Sequence, residues 1–221
     1  AVGNAVHGSV SLNGGNIVFT PGTDYNGPAG FDYTVSDGQG GTATGHVNLT
    51  VTPVNDAPVA QNDIAGPTNE DTALTINTAT LLFNDSDVEG DTLSIAAVSN
   101  ASHGTVVLNG SDVVFTPDAD YNGPAGFDYT VSDGQGGTAT GHVNVAVTPV
   151  NDAPVAQDDA AGPTNEDTAL TITAASLLSN DSDVDADALS ITAVGNASGG
   201  SVVLVGGNIV FTPTSDFNGA A

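Results

Sequence analysis

The chain has 221 residues with no Lys and no Arg against 26 acidic residues, a formal charge of −26. Neutralising phosphate takes Lys or Arg, and anionic leaflets attract basic segments, so nucleic acid and anionic membrane surfaces are excluded as partners. There is no Cys, hence neither a disulfide nor a thiolate metal site, and no apolar run of the ~18 residues a spanning helix needs.

Only Glu70, Glu89 and Glu166 are Glu; every other acid is Asp. Asp is the shorter residue, favoured in turns and in oxygen cages for hard cations. With helix formers scarce and Thr, Val, Gly, Asn and Asp abundant, the composition is that of strands and turns.

Taken from the N-terminus, residues 1–56 contain Phe19-Thr20-Pro21, Asp24-Tyr25 and Ser36-Asp37-Gly38. A segment without periodicity follows at 54–60 and reads as a linker. Residues 57–152 predict seven strands, at 59–64, 73–76, 93–98, 104–108, 113–116, 126–132 and 137–147. Alternation is plain in Phe127-Asp128-Tyr129-Thr130-Val131 and in His142-Val143-Asn144-Val145-Ala146-Val147. An Asn-Gly hairpin signal lies in Leu108-Asn109-Gly110-Ser111-Asp112-Val113. Seven short strands with turn signals between them fit an immunoglobulin-like Greek-key β-sandwich. A second linker at 150–156 leads into residues 153–221.

These stretches are copies of one unit. Phe19-Thr20-Pro21 returns as Phe115-Thr116-Pro117 and Phe211-Thr212-Pro213, Asn55-Asp56-Ala57-Pro58 as Asn151-Asp152-Ala153-Pro154, and residues 25–48 are identical to 121–144. The step is 96 residues throughout. So long a period means domains on a string, not single-turn solenoid repeats. The expected division is a partial module (1–56), a complete one (57–152) and a second partial one (153–221), with both chain ends in mid-module.

Four acidic positions recur per unit. Asn84-Asp85-Ser86-Asp87-Val88-Glu89-Gly90-Asp91 is matched by Asp181-Ser182-Asp183-Val184-Asp185-Ala186-Asp187. Alternate carboxylates on an extended loop can converge on one cation; an Asp-rich surface turn is the other reading. An EF-hand is rejected, because position twelve would be Ala96 and no flanking helices are predicted. The remaining positions are Glu70-Asp71 (Glu166-Asp167), Asp120 before Tyr121 (Asp24-Tyr25, Asp216-Phe217), and Asp133 before Gly134 (Asp37-Gly38). Turn chemistry alone could account for any one of them.

Together, Thr68-Asn69-Glu70-Asp71-Thr72, Asn84-Asp85-Ser86-Asp87, Tyr129-Thr130-Val131-Ser132-Asp133-Gly134 and Pro149-Val150-Asn151-Asp152-Ala153-Pro154 resemble a bacterial cadherin-like repeat. Such repeats, of the tandem Ig-like or VCBS type, occur in large biofilm-associated, RTX-type surface adhesins. The resemblance covers essentially the whole chain and implies Ca²⁺ between modules. The first junction would draw on Asp24, Asn55, Asp56, Asp85, Asp87 and Asp133, and the second on Glu70, Asp120, Asn151, Asp152, Asp181 and Asp183. Cadherin linkers carry a further Asp where this chain has Thr52-Pro53-Val54 and Thr148-Pro149-Val150, so one or two ions per junction are expected rather than three.

No serine-histidine triad, phosphate-cradling Gly loop or His-rich metal spacing appears, and acids that recur in every copy are not how one glycosidase site is built. His46 and His142 occupy equivalent strand positions and are expected to be half-exposed. The expected function is non-enzymatic: an extracellular stalk of a surface adhesin, its partners being neighbouring modules of the same chain or homophilic contacts. A repeating subunit of an extracellular filament or S-layer-like polymer is the alternative, and a glycan-binding module a third.

Overall fold

The computed structural model describes all 221 residues and divides into two compact units, Ala1–Val147 and Thr148–Ala221. The first unit opens with β1 (Val2–Val6), β2 (Gly8–Asn13), β3 (Asn16–Pro21), β4 (Gly27–Ser36) and β5 (Thr42–Val51). Next come β6 (Asp63–Asn69), β7 (Leu74–Asn77), the helical turn α1 (Thr78–Leu81) with a 3₁₀ turn at Leu82–Asn84, and β8 (Ser94–Ser102). The unit is completed by β9 (Gly104–Asn109), β10 (Asp112–Pro117), β11 (Gly123–Ser132) and β12 (Thr138–Thr148). The second unit holds β13 (Leu170–Ile172), α2 (Ala174–Leu177), β14 (Gly200–Val205) and β15 (Asn208–Pro213). No helix is long and apolar enough to cross a membrane.

β6 to β12 form a two-sheet sandwich, one sheet ordered β7-β10-β9 and the other β6-β12-β11-β8. The seven expected strands are present, with shifted ends. The largest shift is in the first: instead of a strand at 59–64, Val59 makes an isolated bridge to Ser86 and the ladder begins at Asp63. The β9–β10 hairpin pairs Asn109 with Asp112, so its loop residues are Gly110 and Ser111, one position beyond the Asn-Gly signal. Gly110 has φ +61°, the left-handed conformation that a two-residue hairpin turn demands at its first loop position.

The core follows from the alternation. Val113, Phe115, Phe127, Tyr129, Val131 and Val143 are fully buried. Phe115 on β10 and Phe127 on β11 stack across the two sheets with centroids 6.0 Å apart. Tyr129 runs through the core to donate its hydroxyl to the carbonyl of Gln61 at 2.6 Å, as a buried phenol must find a partner. Its ring lies over Gly141, directly opposite on β12, where a Cβ would overlap the ring. Buried Leu81 is delivered by α1, a turn started by the Asn77 side chain accepting from the Ala79 amide. That helical turn, immediately before the Asp85 loop, is absent from the sequence-based expectation.

The other strands repeat parts of this sandwich. β4 pairs β5 with the register of β11 on β12, and β2 pairs β3 as β9 pairs β10. In the second unit β13-β15-β14 repeats β7-β10-β9. Val35 of β4 is 52 % exposed, whereas its twin Val131 of β11 is 0 % exposed.

Candidate metal centre

The first group of acids is assembled by turn chemistry. The β11–β12 turn is organised by Asp133, whose Oδ1 accepts from the amides of Gln135, Gly136 and Gly137 at 2.7, 3.0 and 3.0 Å. Oδ2 accepts the side-chain amide of Asn55 at 2.8 Å, which ties the 54–60 segment to the turn. Asp133 is 4 % exposed. Gly137 permits the approach, because a Cβ there would lie 2.9 Å from the Cα of Ala57. The Asn55 amide and the backbone donors hold the Asp133 carboxyl below the usual carboxylate range, against the opposing effect of burial.

The loop after α1 is built around Asp87. Its Oδ1 accepts from the amides of Glu89 and Asp91 at 3.0 and 3.2 Å, a local Asx turn. Its Oδ2 is shielded from solvent and has no hydrogen-bond partner. Glu89 reaches back to accept the Asp56 amide at 3.1 Å, and Asn55 also donates to the Asp56 carbonyl at 3.1 Å. Asp24 lines the same hollow as Asp56 and Glu89, beside Pro53 and Val54. Asn55, Asp56, Asp87, Asp133 and Asp24 therefore gather around the linker, together with Glu89.

Asp85 does not join that group. Its Oδ1 accepts the Gln61 amide at 2.8 Å, and its two oxygens stand 3.2 and 3.3 Å from the Tyr129 hydroxyl. Near it, burial pushes the Asp63 carboxyl up and, more strongly, the Tyr129 phenol.

The second unit repeats the arrangement at its own linker. Asp183 Oδ1 accepts from the amides of Asp185 and Asp187, Asp185 accepts the Asp152 amide at 2.7 Å, and Asn151 donates to the Asp152 carbonyl at 2.7 Å. Asp181, like Asp85, turns to a Gln amide, that of Gln157 at 2.8 Å. Glu70 and Asp120 lie in the first unit. Glu70 is buried at 3 % exposure, and Asp120 sits in a left-handed turn with its amide 3.3 Å from Asp71 Oδ1.

Glu89 and Asp185 are absent from the ligand sets that the sequence implies. Their signal is the third acid of each alternating run, which the Asp-x-Asp part of the cadherin-like pattern does not include. Away from these loops, His46 and His142 are half-exposed and pair through Nδ1 with Asp32 and Asp128 at 2.6 Å. The opposite oxygen of each Asp takes the amide of Asn4 or Asn100, delivered from a β-bulge in left-handed conformation. These pairs use histidine as the only basic side chain available.

In a chain without Lys or Arg, the linker acids have no side-chain cation to face. Two carboxylates 4 Å apart repel by about 1 kcal/mol in bulk water and about 4 kcal/mol at an effective dielectric of 20. The donor set is all oxygen, as a hard cation requires, and Asp87 Oδ2 is a shielded acceptor with nothing to accept. Such an all-oxygen donor set is of the kind that suits Ca²⁺ rather than a soft metal.

A two-sheet, seven-stranded sandwich with acids grouped at its linker defines a tandem Ig-like β-sandwich protein. A cadherin-like domain model matches residues 54–148 and 150–221, and a bacterial Ig domain model matches residues 1–50. The chain belongs to the cadherin-like domain family. Such domains are extracellular, adhesion-type modules that generally bind Ca²⁺ and are typically non-enzymatic.

Among solved structures, the chain is similar to the EC1-2 fragment of human mucin-like protocadherin, at 17 % identity and a TM-score of 0.37, over 67 % of this chain and 83 % of that one. It is similar to the protocadherin gammaB4 extracellular domain at 13 % identity and 0.37, over 97 % and 38 %. An endo-fucoidan hydrolase of glycoside hydrolase family 107 matches at 17 % identity and 0.36 over 97 % of this chain, which spans about 34 % of that enzyme's length. No curated protein matches the chain.

Protonation of Asp133 provides a direct check on the linker contact. The folded carboxyl titrates below its unfolded value of about 3.9, so its contribution to stability is present above that pH and is lost as pH falls through the folded midpoint. Asn55→Ala is expected to move the Asp133 midpoint, followed by carboxyl-detected NMR, back toward the unfolded value. An unmoved midpoint would mean that Asn55 does not hold this carboxylate.

Proposed function

We propose that the chain is a stretch of a non-enzymatic extracellular stalk, in which Ca²⁺ held at each linker stiffens one module against the next. The reading rests on one observation above all: Asp87 Oδ2 is buried without a partner, in a loop next to linker acids, in a molecule with no Lys or Arg to neutralise them. Asp24, Asp56, Asp87, Glu89 and Asp133 would hold the ion at the first linker, with Asn55 keeping Asp133 in place. Asp152, Asp183 and Asp185 would contribute at the second. The bound ion supplies positive charge that offsets carboxylate repulsion. What the chain itself contributes is positioning: the Asx turns at Asp87 and Asp133 aim carboxylates at the linker, and the Asp56 amide fixes Glu89 there.

Near-identical copies suit a spacer that holds an adhesive head away from a cell, as in a biofilm adhesin, since length then matters more than the detail of any one module. Small-angle scattering from a chain of several tandem modules tests this. With millimolar Ca²⁺ the maximum dimension should grow and the profile become rod-like, and excess chelator should shorten it. A maximum dimension indifferent to chelator would sink the stiffening role.

A further inference from the structure

The Asn-Gly pair recurs along the chain, at Asn13, Asn26, Asn109, Asn122 and Asn218. In such a pair the next backbone nitrogen carries no Cβ beside it to hinder its approach to the Asn carboxamide. The structure places the first four pairs in two settings, each seen twice. Asn13 and Asn109 close the β2–β3 and β9–β10 hairpins, opposite Asn16 and Asp112, and the glycine that follows is the first loop residue. Asn26 and Asn122 lead into β4 and β11, whose first residues, Gly27 and Gly123, pair with Val51 and Val147.

Access to the glycine separates the two settings. At Gly14 and Gly110 no atom lies within 4 Å of where a Cβ would stand, and the Asn before each is exposed. The closing pair of a two-residue hairpin engages the residues on either side of the loop, so the amide of the first loop residue is not held in the ladder. Gly123 instead lies under Tyr121, whose hydroxyl oxygen is 2.9 Å from the Cβ position and donates to the Pro124 carbonyl at 2.7 Å. His103 stacks on the same ring at 4.1 Å. Gly27 is covered in the same way by Tyr25, on which His7 stacks.

We propose that Asn13 and Asn109 are sites of spontaneous deamidation, with water as the co-reactant. At the second site the Gly110 nitrogen gives up its proton to solvent and bonds to Cγ of Asn109. A succinimide ring closes as the Cγ–N bond of the carboxamide breaks, and that nitrogen takes a proton from solvent and leaves as ammonia. Water then opens the ring. Cleavage at Cγ yields Asp and cleavage at the main-chain carbonyl yields isoaspartate, and either returns a hydrogen to the Gly110 nitrogen. Each event adds one carboxylate. At 109 it faces Asp112 across the closing pair, where like charges destabilise a hairpin. At 13 it faces the neutral Asn16.

Incubation of the folded chain at mildly alkaline pH, with peptide mapping by mass spectrometry over time, tests the inference. Asp and isoaspartate are expected to accumulate at 13 and 109 several-fold faster than at 26 and 122. In concentrated guanidinium chloride the four sites should react at similar rates, because the reacting pair is the same and the fold alone distinguishes them. Equal rates at all four sites in the folded chain overturn the proposal, and so does an Asn109 that stays intact while Asn26 or Asn122 reacts. A difference between the two settings that persists undiminished in guanidinium chloride overturns it as well, since access to the glycine would then not be its cause.

Discussion

Phe127→Ala is expected to destabilise the seven-stranded sandwich by about 3–5 kcal/mol, the range for truncating a fully buried aromatic. Phe127 is fully buried and is the β11 half of the stack that joins the two sheets. Its loss leaves a cavity that Phe115, packed on its other sides, cannot fill. Val131→Ala should cost about 2 kcal/mol from lost burial and the space left behind. Urea denaturation followed by circular dichroism measures both. A loss at Phe127 no larger than that at Val131 would mean that the stack does not join the two sheets.

That comparison also marks what could be read without coordinates. The alternation around Phe127, Tyr129 and Val131 assigns one face to a core, and the structure buries those residues completely. Pattern could not place the first strand. Val59 and Ile64 attract the assignment to 59–64, yet Ile64 points to solvent and the ladder runs from Asp63 to Asn69 past Gly66 and Pro67. Strand position there is set by pairing with β12, a contact between residues some eighty positions apart. The α1 turn is too short to show a helical period, and the cap that starts it, Asn77, reads equally well as a loop residue.

Around the linker, spacing was informative about which acids sit in turns and silent about where each points. Asp85 and Asp87 are two apart and would share a side on an extended strand. The Asx turn at Asp87 curls the loop, while Gln61 and Tyr129 draw Asp85 toward the sandwich interior. Orientation is decided there by partners from other strands. Glu89 illustrates the converse: nothing local distinguishes it from a solvated acid until the Asp56 amide arrives from the linker.

Asp87 is the residue on which the calcium reading turns, and its replacement should have the largest effect on metal response. A ligand that binds only the folded state stabilises it by about 2.7 kcal/mol at one hundred times its dissociation constant. For a domain of 60–100 residues each kcal/mol moves the melting temperature by about 4–8 °C, so saturating Ca²⁺ should raise it by roughly 10–20 °C. Asp87→Asn keeps the size of the side chain and an oxygen that can serve the Asx turn, but removes the charge. In calorimetry it should abolish most of the Ca²⁺-dependent rise at the first linker while leaving the metal-free melting temperature unchanged or higher, since one repelling carboxylate is gone. Asp112→Asn, in the β9–β10 hairpin away from the linker acids, should retain the full rise. The sign of the metal-free change separates this account from a structural one. If Asp87 served only to organise its loop, Asp87→Asn would lower the melting temperature with and without Ca²⁺ alike, and the metal-dependent increment would survive intact.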